Sequence, residues 1–183
     1  MDIRKRQMVK IIDMLESKYK NACEEVSDIN EHIPTLKRYA DLCEHVTEFG
    51  VRSAVSTWAW VASNAKTIRC YDVSYCATQV HQAEADKLKK EFSFTQVNVI
   101  ADLFEIEPTD LLFIDTNHTY DQCSKELKKH SNKVKKFIIL HDTVIFGAEL
   151  NKAIEEFLDK NRDWMTRETC LNNNGLTVLA KKD

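Results

Sequence analysis

Asp110-Leu-Leu-Phe-Ile-Asp115-Thr-Asn-His-Thr-Tyr120 is an apolar run that breaks abruptly into polar, chemistry-bearing residues. A second run of the same kind, Lys136-Phe-Ile-Ile-Leu-His141, follows about two dozen residues later. Continuous apolar runs at 111–114 and 137–140 fit strands buried on both faces, as in a parallel sheet. The segment between them, Tyr120 to Ser131, has the polar–apolar spacing of a crossover helix. Working outward, the alternation continues. Strands are expected at His45 to Gly50, Thr67 to Val73 and Phe94 to Ala101. Helices are expected at Val51 to Asn64, Ala77 to Phe92 and Leu150 to Lys160. Trp164 to Leu171 and Leu176 to Ala180, split by Asn172-Asn-Asn-Gly175, read as a terminal hairpin. Strict alternation implies right-handed crossovers and an α/β, doubly wound, mostly parallel sheet with helices on both faces.

The N-terminal part reads differently. Ile3, Met8, Ile11, Ile12, Leu15 and Tyr19 mark one face of a helix over residues 3–25. Ser27 or Asp28 can cap a second helix running to about Cys43, with Pro34 early enough to be tolerated. The expectation is one domain over 1–183, with helices in 1–43 capping an α/β core in 44–183. No 20-residue apolar stretch and no apolar segment behind the charged N-terminus appears, so neither a membrane span nor a signal peptide is expected. Six cysteines, without C-x-x-C or zinc spacing, suggest a reducing, cytoplasmic setting. Against 29 acidic residues stand 26 Lys and Arg. That net charge of −3 argues against a strongly basic nucleic-acid binder, though not against a local basic patch.

In such sheets ligands bind beyond the carboxyl ends of the strands. After the first strand stands Glu48-Phe-Gly50-Val-Arg-Ser-Ala-Val-Ser-Thr57: a carboxylate, a glycine that allows a sharp turn, then small residues opening a helix. It is not G-x-G-x-x-G, and it lacks the P-loop lysine, which weakens nicotinamide-dinucleotide and ATP readings. Asp72 follows Gly50 by the interval at which a carboxylate grips a ribose diol. Asp102 follows the third strand, where it can reach a base. Asp115 and His118 follow the fourth, and His141 and Asp142 the fifth.

These five strand ends together resemble a class I S-adenosylmethionine (SAM)-dependent methyltransferase. The segment Leu112-Phe-Ile-Asp-Thr-Asn-His-Thr-Tyr120 is similar to the F-I-D-G-D-H-S-Y pattern of the small-molecule and sugar O-methyltransferase branch near the macrocin methyltransferases and cephalosporin-hydroxylase-like proteins. The resemblance covers roughly residues 28–180. It implies a Rossmann-like seven-stranded sheet. It also implies a cofactor site formed by Glu48, Phe49, Gly50, Ser53, Ser56, Thr57, Asp72, Val73, Asp102, Leu103 and Asp115. Methyl transfer to a hydroxyl of a small acceptor is the implied activity. Asp115, His118 and His141 are its catalytic candidates.

Two departures stand out: Ala54 replaces the family's second glycine, and Thr116-Asn117 replace its Gly-Asp pair. A Cβ at 54 is expected to narrow the loop. Two uses of the rim stay open. Asp115, His141 and Asp142 can hold a divalent cation such as Mg²⁺, suited to hard oxygen ligands; alternatively, His118 is a general base. The rival to transfer is a catalytically inactive module binding SAM or another adenosine ligand. Lysines 125, 128, 129, 133, 135 and 136 form a basic run, read as a solvated face or an anion contact. Trp58 and Trp60 point to different faces of their helix. His32 is a candidate lid residue, and both the terminal hairpin and the first helix are candidate homodimer surfaces.

Overall fold

The computed structural model describes residues 3–182, with side chains from residue 9 onward. Helix α1 (Ile3–Glu24) is followed by a 3-10 turn at Asn30–His32 and by α2 (Ile33–Ala40). Then come β1 (His45–Phe49), α3 (Thr57–Ala62), β2 (Thr67–Asp72), α4 (Gln79–Lys87), β3 (Glu91–Gln96) and β4 (Thr109–Ile114). The chain continues through α5 (Tyr120–His130), β5 (Val134–His141), α6 (Gly147–Lys160), β6 (Trp164–Cys170) and β7 (Leu176–Lys181). The seven strands form one sheet in the order β3-β2-β1-β4-β5-β7-β6. β1 to β5 pair in parallel, and β7 is antiparallel to both β5 and β6. The doubly wound, mostly parallel architecture with a terminal hairpin is the one expected from the strand–helix alternation.

Side-chain alternation explains why the two apolar runs sit at the centre. Leu111 and Phe113 of β4 pack with Ile33, Leu36, Trp60 and Ile139 on one face of the sheet. Leu112 and Ile114 pack with Leu127, Leu140, Ile154 and Phe157 on the other. All six residues of β4 are buried. Burying each large apolar side chain contributes about 1.5–3 kcal/mol.

Four expectations change. The helix expected over 51–64 shrinks to Thr57–Ala62, because Gly50, Arg52 and Ala54 all have positive φ (80°, 46° and 59°) and hold 50–54 as an irregular loop. Phe94 does not begin the third strand; β3 starts at Glu91 after Lys89 (φ 57°) ends the α4 segment, and it stops at Gln96. The helix expected over 28–43 becomes the 3-10 turn plus α2, with the Ser27 hydroxyl accepting from the Asn30 N–H at 3.0 Å. In α1, Leu15 and Tyr19 pack on the core, whereas Ile12 is exposed; the side chains of Ile3 and Met8 lie outside the described residues. Trp60 is fully buried, and Trp58 lies over His81 with ring centroids 4.0 Å apart. Among the described residues no helix is long and apolar enough to cross a membrane.

Candidate functional site

The strand order reverses between β1 and β4, and a cleft of about 440 Å³ opens at their carboxyl ends. Gly50, Arg52, Asp72 and Val73 line one side, and Asp115 and Asn117 the other. Val97, Asn98 and Val99, beyond the end of β3, complete it. Gly50 is required by the protein itself: a Cβ there would lie 1.9 Å from the Asp115 carbonyl oxygen. The close approach expected of a ligand is thus already made by the backbone of the neighbouring strand. The Asp115 N–H donates to the Phe49 carbonyl at 2.9 Å, which sets the two strand ends side by side.

Asp72 clamps the loop above it. Its Oδ2 accepts from the N–H groups of Val51 (2.8 Å) and Arg52 (3.1 Å), and Oδ1 from Ser74 (2.8 Å). Partial burial opposes ionisation, but these backbone donors outweigh it and hold the carboxyl below its usual range. Oδ1 carries a single backbone donor, and Asp72 lines the cleft with acceptor capacity to spare. The Arg52 side chain leaves the loop to meet Asp28 at 2.7 and 2.6 Å, tying the N-terminal cap to the cleft. Sequence reasoning passed over Arg52. The only signal is a long cation in an otherwise small-residue loop.

Several expected cofactor contacts lie elsewhere. Glu48 is fully buried beneath the loop. Its Oε1 accepts from Ser56 at 2.5 Å and its Oε2 from Thr57 at 2.8 Å and the Cys70 thiol at 3.1 Å. Burial pushes its pKa up against these hydrogen bonds. Glu48, Ser56 and Thr57 therefore brace the start of α3 from below, and Phe49 is packed against Tyr71 and His130. Ser53 faces a separate cavity beside Lys18 and Trp58. Asp102 and Leu103 are exposed outside the cleft wall, because β3 ends earlier than its apolar pattern suggests. Ala54 is 2% exposed and packed in the core, so its methyl group does not enter the cleft.

Where the cleft reaches Asp115, four ionisable groups meet. His118 Nε2 lies 2.8 Å from Asp142 Oδ2 and 3.3 Å from Asp115 Oδ1. His141 Nδ1 lies 3.2 Å from the same Asp115 oxygen and 3.5 Å from Asp142. Donor atoms of Asp115, His118 and Asp142 all fall within 4.8 Å of one another. That trio differs from the expected Asp115, His141 and Asp142 set. His141 is 1% exposed on the inner side, with Nε2 toward the Asn173 carbonyl, which also meets His32 Nε2 at 2.9 Å.

Burial would lower the His118 pKa, yet Asp115 and Asp142 raise it to about 9. Asp115 is held down at about 2: burial raises it, but the two imidazoles prevail. His141 is likewise raised against its burial, chiefly by Asp115. At neutral pH the cluster pairs the His118 imidazolium with carboxylates, and the upward shift of His141 favours its charged form in the same way. Asp142 Oδ1 is buried with no hydrogen-bond partner among the described residues, and Asp142 sits at φ +60°. A buried, unsatisfied carboxylate oxygen beside a second carboxylate and an imidazole is a donor set that fits a divalent cation. The His118 ring is stacked on Phe146 at 4.6 Å, and Val144, Ile145 and Phe146 form an exposed apolar ridge next to it. Behind the turn, the Thr116 hydroxyl donates to the buried Glu126 at 2.8 Å, and burial pushes Glu126 up to about 7.

No family model and no curated protein matches the chain. Solved structures do match. Cofactor-bound Rv0187 from MTB is 13% identical, with 95% of this chain and 90% of that one covered at a TM-score of 0.62. The O-methyltransferase from Bacillus cereus in complex with SAH is 12% identical, covering 94% and 91%, at 0.59. The chain has the fold of the Rossmann-like methyltransferases. The N-methyltransferase NodS from Bradyrhizobium japonicum WM9 matches too, at 13% identity and 0.59, with 87% and 99% covered. O- and N-methyltransferases thus share this architecture, and the macrocin and cephalosporin-hydroxylase-like branch is not singled out.

Proposed function

We propose that the chain is a SAM-dependent methyltransferase acting on a hydroxyl of a small acceptor. The observation that carries this reading is the double role of Asp115. One residue lines the 440 Å³ cleft and also anchors the His118–His141–Asp142 cluster, so a ligand in the cleft ends where the acid–base groups begin. A volume of that size suits a small-molecule cofactor. In this reading Asp72 Oδ1 receives a ribose hydroxyl, Val73 and Val97–Val99 flank the base, and the Gly50–Arg52 loop closes over the methionine end. Bound SAM supplies an activated methyl group on a sulfonium that leaves readily.

The protein's own work is alignment and proton management. The apolar ridge at Val144–Phe146 orients the acceptor, and Phe146 keeps the His118 ring in plane toward Asp115 and Asp142. Asp115, His118 and Asp142 are the residues that would hold a divalent cation, whose Lewis acidity would lower the acceptor hydroxyl's pKa. Seating it requires the His118 proton to leave, which ties metal binding to proton release. His141, inside the cluster, orients Asp115 through Nδ1 and has no path to the acceptor.

The test is SAH release from SAM with a panel of phenolic, sugar and amine acceptors, with Mg²⁺ or Mn²⁺ and after chelation. Hydroxyl acceptors are expected to turn over, and Asp142→Asn is expected to reduce kcat by ~100-fold while leaving SAH affinity intact. Turnover of amines alone, or turnover indifferent to both chelation and Asp142→Asn, contradicts the reading.

A further inference from the structure

The basic run at 125–136 does not act as one surface. Lys125 pairs with Asp121 at 2.6 Å, Lys129 donates to the Asp102 carbonyl at 3.2 Å, and Lys133 pairs with Glu105 at 3.1 Å. Lys135 and Lys136 instead open β5 and turn into a groove of about 610 Å³ between α2 and the β6–β7 hairpin. Arg38, Arg167, Lys181 and Lys182 line the same groove, and no carboxylate does. Six cations thus converge in a chain whose net charge is −3.

Few of these charges are neutralised. Arg38 meets Glu168 at 2.7 Å, and Lys181 meets Asp163 at 3.5 Å. Lys136 and Lys182 donate to the carbonyls of Leu42 (2.7 Å) and Arg162 (2.6 Å) and make no salt bridge among the described residues. Lys135 and Arg167 have no ion pair or side-chain hydrogen bond among the described residues. Arg167 is also the extra residue where the β6–β7 register shifts, and a bulge re-aims the side chain it carries. Four of the six cations thus have no salt-bridge partner among the described residues, over a floor that includes exposed Leu42 and Met165 and half-buried Phe137.

The groove is not part of the cleft. Lys135 and His141 lie at opposite ends of β5, six residues and roughly 20 Å apart, so an anion in the groove cannot be the reacting end of a small acceptor. We propose that this groove binds the phosphodiester backbone of single-stranded nucleic acid, as a tethering surface separate from the methyl-transfer site. A positive groove that tracks the backbone is the electrostatic part of such sites, and Leu42, Met165 and Phe137 supply apolar surface beside it. The net charge of −3 coexists with a local basic patch, as the sequence allowed.

The test is fluorescence anisotropy with a labelled oligouridylate about 12 nucleotides long, titrated with the full chain over a salt series. With four cations free of salt bridges, log Kobs is expected to fall against log salt with a slope of about −3. Lys135→Gln with Arg167→Gln, both exposed, should reduce that slope by about 1.4 and weaken binding. Lys125→Gln with Lys128→Gln on α5 should change neither. Absence of salt-dependent binding at about 50 mM salt overturns the proposal. So does an equal loss in the α5 variant, or equal displacement by polyglutamate of matched charge, which would make the occupant an acidic peptide. None of these readouts involves SAM or methyl transfer, so this proposal and the enzymatic one fail separately.

Discussion

Gly50 shows how one residue joins two strands. Its φ of +80° and the 1.9 Å a Cβ would leave to the Asp115 carbonyl mean that Gly50→Ala must push β1 and β4 apart at the cleft. Denaturant unfolding is expected to show a loss of about 3 kcal/mol or more, together with loss of SAH binding. His81 makes a second prediction. It is 5% exposed under Trp58, and burial pushes its pKa down to about 4 against the opposing backbone interaction with Ala54. Lys18 of α1 is the charged neighbour and acts in the same direction. Because the folded pKa lies below the unfolded one, stability is complete above about pH 7 and is lost as pH falls toward 4. The linked cost is about 2 kcal/mol by pH 5. His81→Phe is expected to flatten that part of the stability profile; an unchanged slope would show that another group sets it. The placement of Asp72 and Asp115 at the cleft and of His118 beside it was legible because chemistry-bearing side chains just past apolar runs have few structural excuses. Glu48 was not, because a carboxylate satisfied by two hydroxyls and a thiol looks in sequence like one waiting for a ligand.

Elements were legible in proportion to how fully they are covered. β4 and the C-terminal half of β5 could be read from composition alone, since Leu111–Ile114 and Phe137–Leu140 are unbroken apolar runs, whereas Lys135 and Lys136 lie near the start of β5 in exposed positions. β3 is an edge strand with mostly exposed residues, and its register could not be inferred from Phe92 and Phe94. With the strand end displaced, residues 97–99 rather than 102–103 line the cleft. The 50–56 loop was misread as helix because positive φ at Arg52 and Ala54 has no compositional mark when the residue is not glycine. That loop is held from two sides, by Asp72 below and by Asp28 of the N-terminal cap. Asp28→Ala removes an exposed ion pair, so it should cost under about 1 kcal/mol of stability. It should nonetheless weaken SAH binding, because Arg52 loses its anchor over the cleft. Calorimetry beside thermal unfolding checks both halves, and unchanged affinity would remove Arg52 from the cofactor's environment.

Across the whole molecule the sheet separates two kinds of charge. Acidic and imidazole groups gather at the carboxyl end of β4 and β5, and free cations gather at the amino end of β5. The cluster end carries a prediction of its own. Mn²⁺ or Mg²⁺ should raise the melting temperature of the wild-type chain and leave Asp142→Asn unmoved, with the shift growing as pH rises and metal displaces the His118 proton. Equal shifts in the two proteins would place the ion elsewhere. The most direct measurement of all is calorimetric titration of the folded chain with SAM and SAH, repeated with Asp72→Ala. One site of micromolar affinity, lost in the variant while its circular dichroism is retained, is the expected result. A folded wild-type chain that takes up neither ligand would contradict the assignment of the cleft, and with it the methyltransferase reading.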